Sequence, residues 1–168
     1  MIPFFDVGAV NEPYRAELEV AWQTVRSSGQ YILRPQAAAF HAALAALCGV
    51  RHCVGVGSGL DALSLIIGGY GFGPGDEIIV PATTYIASVL AISANGCTPV
   101  LVEPDPSTFN LDPKAVEAHI TPATRAILAV HLYGRLCDWD ALTAIADHHG
   151  LTLIEDAAQA HGAVTAGR

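Results

Sequence analysis

The chain has 168 residues, of which 52% are hydrophobic and 14% charged, so it holds enough apolar material for one buried core of ordinary domain size. Its 16 acidic and 8 basic residues give a formal net charge of −8, and no basic run occurs in the sequence. This acidic balance argues against a nucleic-acid partner, whose phosphates need clustered cationic side chains.

Signals for membranes and metals are weak. The first residues carry no basic region ahead of an apolar stretch, and no apolar run approaches the roughly 20 residues that cross a bilayer. The four cysteines form no Cys-x-x-Cys pair, which favours scattered reduced thiols over a zinc or dithiol site. We therefore expect a cytoplasmic protein that binds neither a membrane nor a metal.

The hydrophobic period alternates along the chain between about 3.6 and 2 residues, which predicts alternating helices and strands. A first helix is predicted over residues 12–28, capped by Asn11 and ended by Gly29. A second is predicted over residues 35–48, and later ones over residues 60–67, 86–95, 113–119 and 139–149. The predicted strands cover residues 53–56, 77–80, 99–102, 125–130 and 151–155.

Five short apolar strands separated by helices predict an α/β fold. Right-handed crossovers would join the strands into a mainly parallel sheet that is flanked by helices on both faces. Ligands of such sheets gather beyond the carboxyl ends of the strands, so the residues just after each strand are the candidates for function.

A glycine-rich turn, residues 55–59, leads into the helix predicted at residue 60. Glycine permits close backbone approach, and free N–H groups at a helix N-terminus favour an anion such as phosphate. A dinucleotide fingerprint would need glycine where Leu60 stands, and no Walker-type Gly-Lys follows. The turn indicates an anion site, with a merely tight strand-to-helix connection as the alternative.

Two other strand ends carry chemistry. Tyr85 follows the strand at 77–80, where its ring could lie against a planar ligand, although half-buried packing is the commoner role for such a tyrosine. Asp156 follows the last strand, where a carboxylate could hold a protonated pyridine nitrogen, and Gln159 and His161 could reach neighbouring ring substituents. A phosphate cradle, an aromatic platform and a carboxylate on one sheet edge match the needs of pyridoxal phosphate.

At these residues the chain resembles the DegT/DnrJ/EryC1/StrS family of sugar aminotransferases, which are pyridoxal-phosphate enzymes with the aspartate-aminotransferase fold. The matching stretches are residues 57–63, 73–81, 84–88, 99–103, 130–134 and 154–162. The resemblance implies six cofactor-binding residues: Ser58, Gly59 and the backbone of Leu60 at the phosphate, Tyr85 stacked on the ring, Asp156 at the pyridine nitrogen, and Gln159 near the ring hydroxyl.

The resemblance also implies a domain organisation. Residues 1–35 would form a helical, substrate-facing segment with Tyr31 as a substrate-binding residue, and residues 36–168 would form part of the cofactor-binding large domain. Arg34 stands where the family usually has glycine, and a positive φ there would strain it. We expect the family's Schiff-base lysine to lie beyond Arg168, which leaves no catalytic residue in this chain. Lys114, its one lysine, is predicted to be a solvated surface residue.

The function that the resemblance implies is transfer of an amino group, with glutamate as the expected donor, to a nucleotide-linked keto-sugar. A 3-keto-6-deoxyhexose is favoured because Leu60 matches that subgroup of the family. The chain would be the N-terminal portion of a homodimeric enzyme and inactive alone. The alternative is a noncatalytic module, or partner subunit, that binds pyridoxal phosphate or a nucleotide-sugar. A Rossmann-type oxidoreductase fits the α/β pattern but fails the glycine spacing.

Overall fold

The computed structural model describes residue 4, residues 6–32 and residues 34–165. The chain divides into two compact units, Met1–Gly55 and Val56–Arg168. The boundary predicted between residues 35 and 36 divides the chain by expected function, not by compactness. It stays a prediction. Within the described ranges, no helix is both long and apolar enough to cross a lipid bilayer.

The first unit is helical, with α1 (Val7–Asn11), a 3₁₀ turn (Glu12–Tyr14), α2 (Arg15–Ser28) and α3 (Pro35–Leu47). The predicted single helix over residues 12–28 is wrong at its start. Pro13 has no N–H to donate to α1, so α1 ends before it and α2 begins after the 3₁₀ turn. Asn11 makes no capping hydrogen bond, whereas Asp6 caps α1 by accepting the N–H of Ala9 at 3.0 Å.

Two backbone positions in this unit were singled out in the sequence. Gly29 ends α2 in the left-handed conformation, with φ 61°, as its position predicts. Arg34 has φ −115° and ψ 176°, which is extended backbone, so the strain considered for it does not arise. Of the described residues in this unit, Ala45 alone is buried.

The second unit contains a parallel sheet flanked by helices, which confirms the predicted fold class. Its four strands lie in the order β2-β1-β3-β4, and every neighbouring pair is parallel. The elements are α4 (Gly59–Gly69), β1 (Glu77–Pro81), α5 (Ile86–Ala94), β2 (Thr98–Val102), α6 (Pro113–Ala118), β3 (Thr124–Val130), α7 (Trp139–His149) and β4 (Thr152–Asp156).

The strand predicted at residues 53–56 is wrong. These residues form no strand, and Val54 is 79% exposed. Valine favours extended structure, but a strand also needs a neighbouring strand for its backbone hydrogen bonds. The described sheet consists of β1 to β4 and does not include this segment.

The core lies on both faces of the sheet. On one face, Ile78 and Val80 of β1 pack with residues of α4 and α5. On the other face, Ile79 packs with residues of α6 and α7. All three side chains are fully buried, which explains why β1 reads as a continuous apolar run rather than an alternating one.

The strand order creates a crevice. After β1 the chain moves outward to β2, and then it returns across β1 to form β3 and moves outward the other way to β4. The order therefore reverses between β1 and β3. In open parallel sheets, the space beyond the carboxyl ends of the strands at such a reversal is the usual ligand position.

Candidate functional site

A cleft of about 520 Å³ lies beyond these strand ends. Its volume falls within the range of roughly 300–1,000 Å³ that is usual for small-molecule sites. The start of α4 and the segments after β1, β3 and β4 supply its walls. All six residues that were predicted to bind the cofactor line it: Ser58, Gly59, Leu60, Tyr85, Asp156 and Gln159.

The start of α4 presents backbone donors to this cleft. Ser58 is the N-cap residue, and its hydroxyl oxygen accepts the N–H of Asp61 at 3.2 Å while the hydroxyl donates to the Asp61 carboxylate at 2.9 Å. Among the hydrogen bonds of the described residues, none uses the N–H groups of Gly59 or Leu60. These two donors and the positive end of the helix dipole suit a phosphate, although the adjacent Asp61 carboxylate opposes part of that attraction.

Asp156 is the carboxylate at the end of β4. Register pairing with Val130 places it beside the end of β3, and its backbone carbonyl accepts the N–H of His131 at 3.1 Å. Oδ1 accepts the N–H of Ala158 at 3.2 Å, and Oδ2 accepts the hydroxyl of Ser88 at 3.2 Å. Both carboxylate oxygens are thus held by donors. The residue is only half-buried, and it lines the cleft.

The amide of Gln159 has a defined orientation. Its Oε1 accepts the backbone N–H of Tyr133 at 2.8 Å. A backbone N–H can only donate, so this bond fixes which end of the amide faces Tyr133. The amide nitrogen is left to donate to an acceptor in the cleft.

The loop that holds Gln159 is itself fixed. Tyr133 has φ 54° and Gly134 has φ 84°, both in the left-handed region. Buried Asn110 bridges the two ends of this loop, because its Oδ1 accepts the N–H of Leu132 at 3.2 Å and its Nδ2 donates to the carbonyl of Arg135 at 2.8 Å. Since these bonds support a sparsely populated backbone conformation, Asn110 acts on the cleft through the loop.

His131 forms part of the cleft wall and is only 2% exposed. Its Nδ1 accepts the N–H of Cys137 at 3.0 Å, so Nδ1 carries no proton, and Nε2 donates its proton to Glu155 at 2.8 Å. The ring also meets Trp139 edge-on, with 5.7 Å between centroids. These contacts fix the orientation of the His131 ring.

Tyr85 is the aromatic member of the site. It precedes α5 as its N-cap residue, and its side chain is 75% exposed while lining the cleft. Half-buried packing, which the residue type alone favours, therefore does not describe it. A planar ligand could cover this ring.

Three further residues were considered in the sequence. His161 is exposed and is not among the residues that line the cleft, and its approach to the ring stays a prediction. Tyr31 is exposed in the first unit. Lys114 is exposed at the start of α6, where its N–H bonds to the N-cap carboxylate of Asp112 at 3.0 Å.

Some residues of the site were missed from sequence. Thr84 and Ser88 lie in a stretch that resembles the family, but only their positions after β1 hinted at a role. His131 and Asn110 are isolated polar residues at strand and loop ends, and nothing in the local pattern links either to Asp156 or Gln159. His131 pairs with Glu155, 24 residues away, and Asn110 pairs with Leu132, 22 residues away.

The donor set fits a planar, phosphorylated heteroaromatic ring with a basic nitrogen. Two unpaired backbone N–H groups suit the phosphate, an exposed aromatic side chain suits the ring face, and an oriented carboxylate suits a protonated nitrogen. The amide nitrogen of Gln159 adds a donor for an oxygen substituent. These are the requirements of pyridoxal 5′-phosphate.

Comparison with known proteins identifies relatives of this site. The model of the DegT/DnrJ/EryC1/StrS aminotransferase family matches residues 14–168. A dTDP-3-amino-3,6-dideoxy-alpha-D-galactopyranose transaminase of Aneurinibacillus thermoaerophilus is 52% identical over 100% of this chain and 46% of its own length. A dTDP-3-amino-3,4,6-trideoxy-alpha-D-glucose transaminase of Streptomyces venezuelae is 56% identical over 99% of this chain and 44% of its own length.

Comparison with solved structures also identifies aminotransferase relatives. The crystal structure of S. venezuelae DesV in complex with a ketimine intermediate superposes with a TM-score of 0.96 at 56% identity, covering 99% of this chain and 45% of that one. The structure of NtdA from Bacillus subtilis with bound cofactor PMP gives a TM-score of 0.91 at 33% identity, covering 96% and 37%. The chain thus spans less than half the length of these relatives.

Proposed function

This chain belongs to the DegT/DnrJ/EryC1/StrS aminotransferase family, and on that premise we propose that its second unit binds pyridoxal 5′-phosphate and its amine form for amino transfer to a nucleotide-linked keto-sugar. The observation that carries the proposal is the convergence of the six predicted cofactor-binding residues on one cleft. When bound, this cofactor supplies an electron sink that stabilises a substrate carbanion.

Each of the six predicted cofactor-binding residues has a proposed task. The N–H groups of Gly59 and Leu60, with Ser58, hold the phosphate. Tyr85 lies on the ring, and the Gln159 amide nitrogen donates to the ring oxygen. Asp156 holds a proton on the pyridine nitrogen, which keeps the ring positively charged.

The substrate assignment rests on the relatives. Two of them carry names for transamination of dTDP-linked 3-amino sugars. We propose the same substrate class, a nucleotide-diphosphate sugar with a keto group at C3, with glutamate as amino donor and Tyr31 as a substrate contact. We also propose that the protein forms a homodimer and is located in the cytoplasm.

We propose that the cleft of this chain binds and orients the cofactor but does not by itself carry out turnover. Its one lysine, Lys114, is exposed and does not line the cleft. We therefore propose noncovalent cofactor binding by this chain. The noncatalytic binding module remains the second candidate, and it uses the same cleft.

Binding of pyridoxamine 5′-phosphate tests the proposal, because this form of the cofactor needs no lysine. Titration followed by ligand fluorescence should show saturable binding. Asp156→Asn should weaken it by about 10-fold or more, since a hydrogen bond to a charged group is lost. Asp147→Asn, the same change at an exposed position on α7, is the matched control and should bind like the parent chain. Absence of saturable binding, or equal affinity of the two variants, contradicts the proposal.

A further inference from the structure

Ser88 has a buried hydroxyl that contacts residues of the candidate site from outside the cleft. It lies in the first turn of α5 and is fully buried. Its Oγ donates to Oδ2 of Asp156 at 3.2 Å and lies 3.0 Å from Oγ1 of Thr84. Ser88 does not itself line the cleft, whereas Thr84 and Asp156 do.

The direction of these hydrogen bonds follows from the number of protons. An ionised carboxylate only accepts, so the single hydroxyl proton of Ser88 goes to Asp156. The hydroxyl of Thr84 is therefore the donor to Ser88. The result is a relay from Thr84 through Ser88 to Asp156, which joins the end of β1 to the end of β4.

The hydroxyl of Ser88 does not donate to a backbone carbonyl of its own helix. A serine inside a helix commonly donates to the carbonyl four residues earlier, and Ser93 on α5 does so, donating to Val89 at 3.2 Å. Ser88 donates across to β4 instead. A polar group at a fully buried position is tolerated only when it is hydrogen-bonded, so the bond to Asp156 is what accommodates a hydroxyl here.

Asp156 is thereby held from two sides. The N–H of Ala158 binds Oδ1 and the hydroxyl of Ser88 binds Oδ2. One donor on each oxygen restricts rotation of the carboxylate about its terminal bond, which is otherwise broad. The remaining lone pairs keep a defined direction towards a ligand in the cleft.

We propose that Ser88 is a positioning residue that fixes the carboxylate of Asp156 for contact with a protonated ring nitrogen. The inference rests on the proposed function, because it assumes that Asp156 meets such a nitrogen. It adds a residue outside the cleft to the site and assigns Thr84 as the donor that supports it.

The test is a titration of the full chain with pyridoxamine 5′-phosphate, using Ser88→Ala and the control Ser93→Ala on the same helix. We expect Ser88→Ala to weaken binding by about 10-fold, because a carboxylate that is free to rotate loses most of its hydrogen bond to the charged ring nitrogen, and Ser93→Ala to leave binding unchanged. Ultraviolet absorbance of the bound ligand should show that its pyridine nitrogen loses its proton at lower pH in Ser88→Ala than in the parent chain.

Circular dichroism without ligand checks the fold of each variant. If Ser88→Ala does not fold, Ser88→Cys retains the side-chain volume with a much weaker donor, and the same loss of affinity is expected. In an Asp156→Asn background, Ser88→Ala should add little further loss, because the residue acts through Asp156.

The outcomes separate the two proposals. A parent chain that does not bind the ligand overturns the proposed function and this inference with it. If the parent chain binds, Asp156→Asn weakens binding and Ser88→Ala binds as the parent does, the inference alone is overturned. An equal effect of Ser88→Ala with and without the Asp156 carboxylate also overturns it, since the effect would then come through the core.

Discussion

The side-chain oxygen of Gln159 accepts a 2.8 Å hydrogen bond from the backbone N–H of Tyr133, a residue 26 positions earlier in the chain. This bond joins the turn after β4 to the loop after β3. It also distinguishes the two ends of one amide, because the oxygen holds the loop and the nitrogen is the end that is proposed to donate to a ligand.

Substitutions of Gln159 can separate these tasks. Gln159→Glu keeps the oxygen that accepts from Tyr133 but places a carboxylate where the donor was, whereas Gln159→Leu removes both groups. We expect Glu to weaken pyridoxamine 5′-phosphate binding by about 10-fold or more and to be the worse of the two, since it repels the ring oxygen. Fluorescence titration gives the affinities. Parent-like binding by Gln159→Glu would show that the amide nitrogen is not used.

Gly134 and Gly150 provide a matched pair for the loop. Both have positive φ, 84° and 66°, but a Cβ at Gly134 would lie 3.2 Å from the carbonyl oxygen of Gln159, whereas Gly150 has open space. Each alanine variant should lower the free energy of unfolding by about 1 kcal/mol through backbone strain. Only Gly134→Ala should also weaken ligand binding.

Denaturant titration with and without ligand measures both effects for this pair. A similar loss of affinity in both variants would place the effect in overall stability rather than in the contact with Gln159.

The N-cap of α4 offers a test of the phosphate position. Ser58→Ala removes the acceptor for the N–H of Asp61 and should destabilise the chain by about 1 kcal/mol, whereas Ser58→Gly should cost only a few tenths. Both variants lose the hydroxyl that is proposed to contact phosphate. Both variants should therefore weaken the binding of pyridoxamine 5′-phosphate to a similar degree. The binding of unphosphorylated pyridoxamine, which is weaker, should not change. Equal losses for both ligands would argue against a phosphate at this helix end.

Cys137 predicts a decline of stability at high pH. Burial raises the pKa of its thiol from 9.0 to about 11. Between these values the unfolded chain binds fewer protons than the folded chain, so the free energy of unfolding contributed by this group is complete below pH 9 and falls as the pH rises towards 11.

Cys137→Ser is the control for this pH dependence. It keeps a donor for the carbonyl of Val130, which the thiol contacts at 3.2 Å, and it removes the titration. Urea unfolding at a series of pH values should show a shallower decline in the serine variant. An identical slope in both proteins would assign the pH dependence to other groups.

The sequence predicted the regular part of the second unit well. All four strands of the described sheet were predicted to within one residue at each end because their apolar runs are bounded by turn residues. Residues 53–56 have the same local character and form no strand, since pairing depends on a neighbour that no local pattern specifies. Pro13 likewise interrupts a helical pattern that its neighbours favour.

The site was predictable where a single position after a strand carries the chemistry. Tyr85 and Gln159 follow strands and Asp156 ends one, and the structure brings all three to one cleft. Ser88 and His131 could not be assigned roles in advance, because each depends on a partner from a distant segment. The orientation of the Gln159 amide depends on Tyr133 in the same way.

The bond between Ser88 and Asp156 spans 68 residues of the chain, and the cleft gathers segments from Ser58 to Gln159. No local fragment of the second unit holds these segments together, so only its folded state offers the complete site. A ligand that selects this state adds RT ln(1 + [L]/Kd) to its free energy of unfolding, about 2.7 kcal/mol at a hundred times Kd. Supply of the proposed cofactor would thereby set how much of the protein survives unfolding and proteolysis.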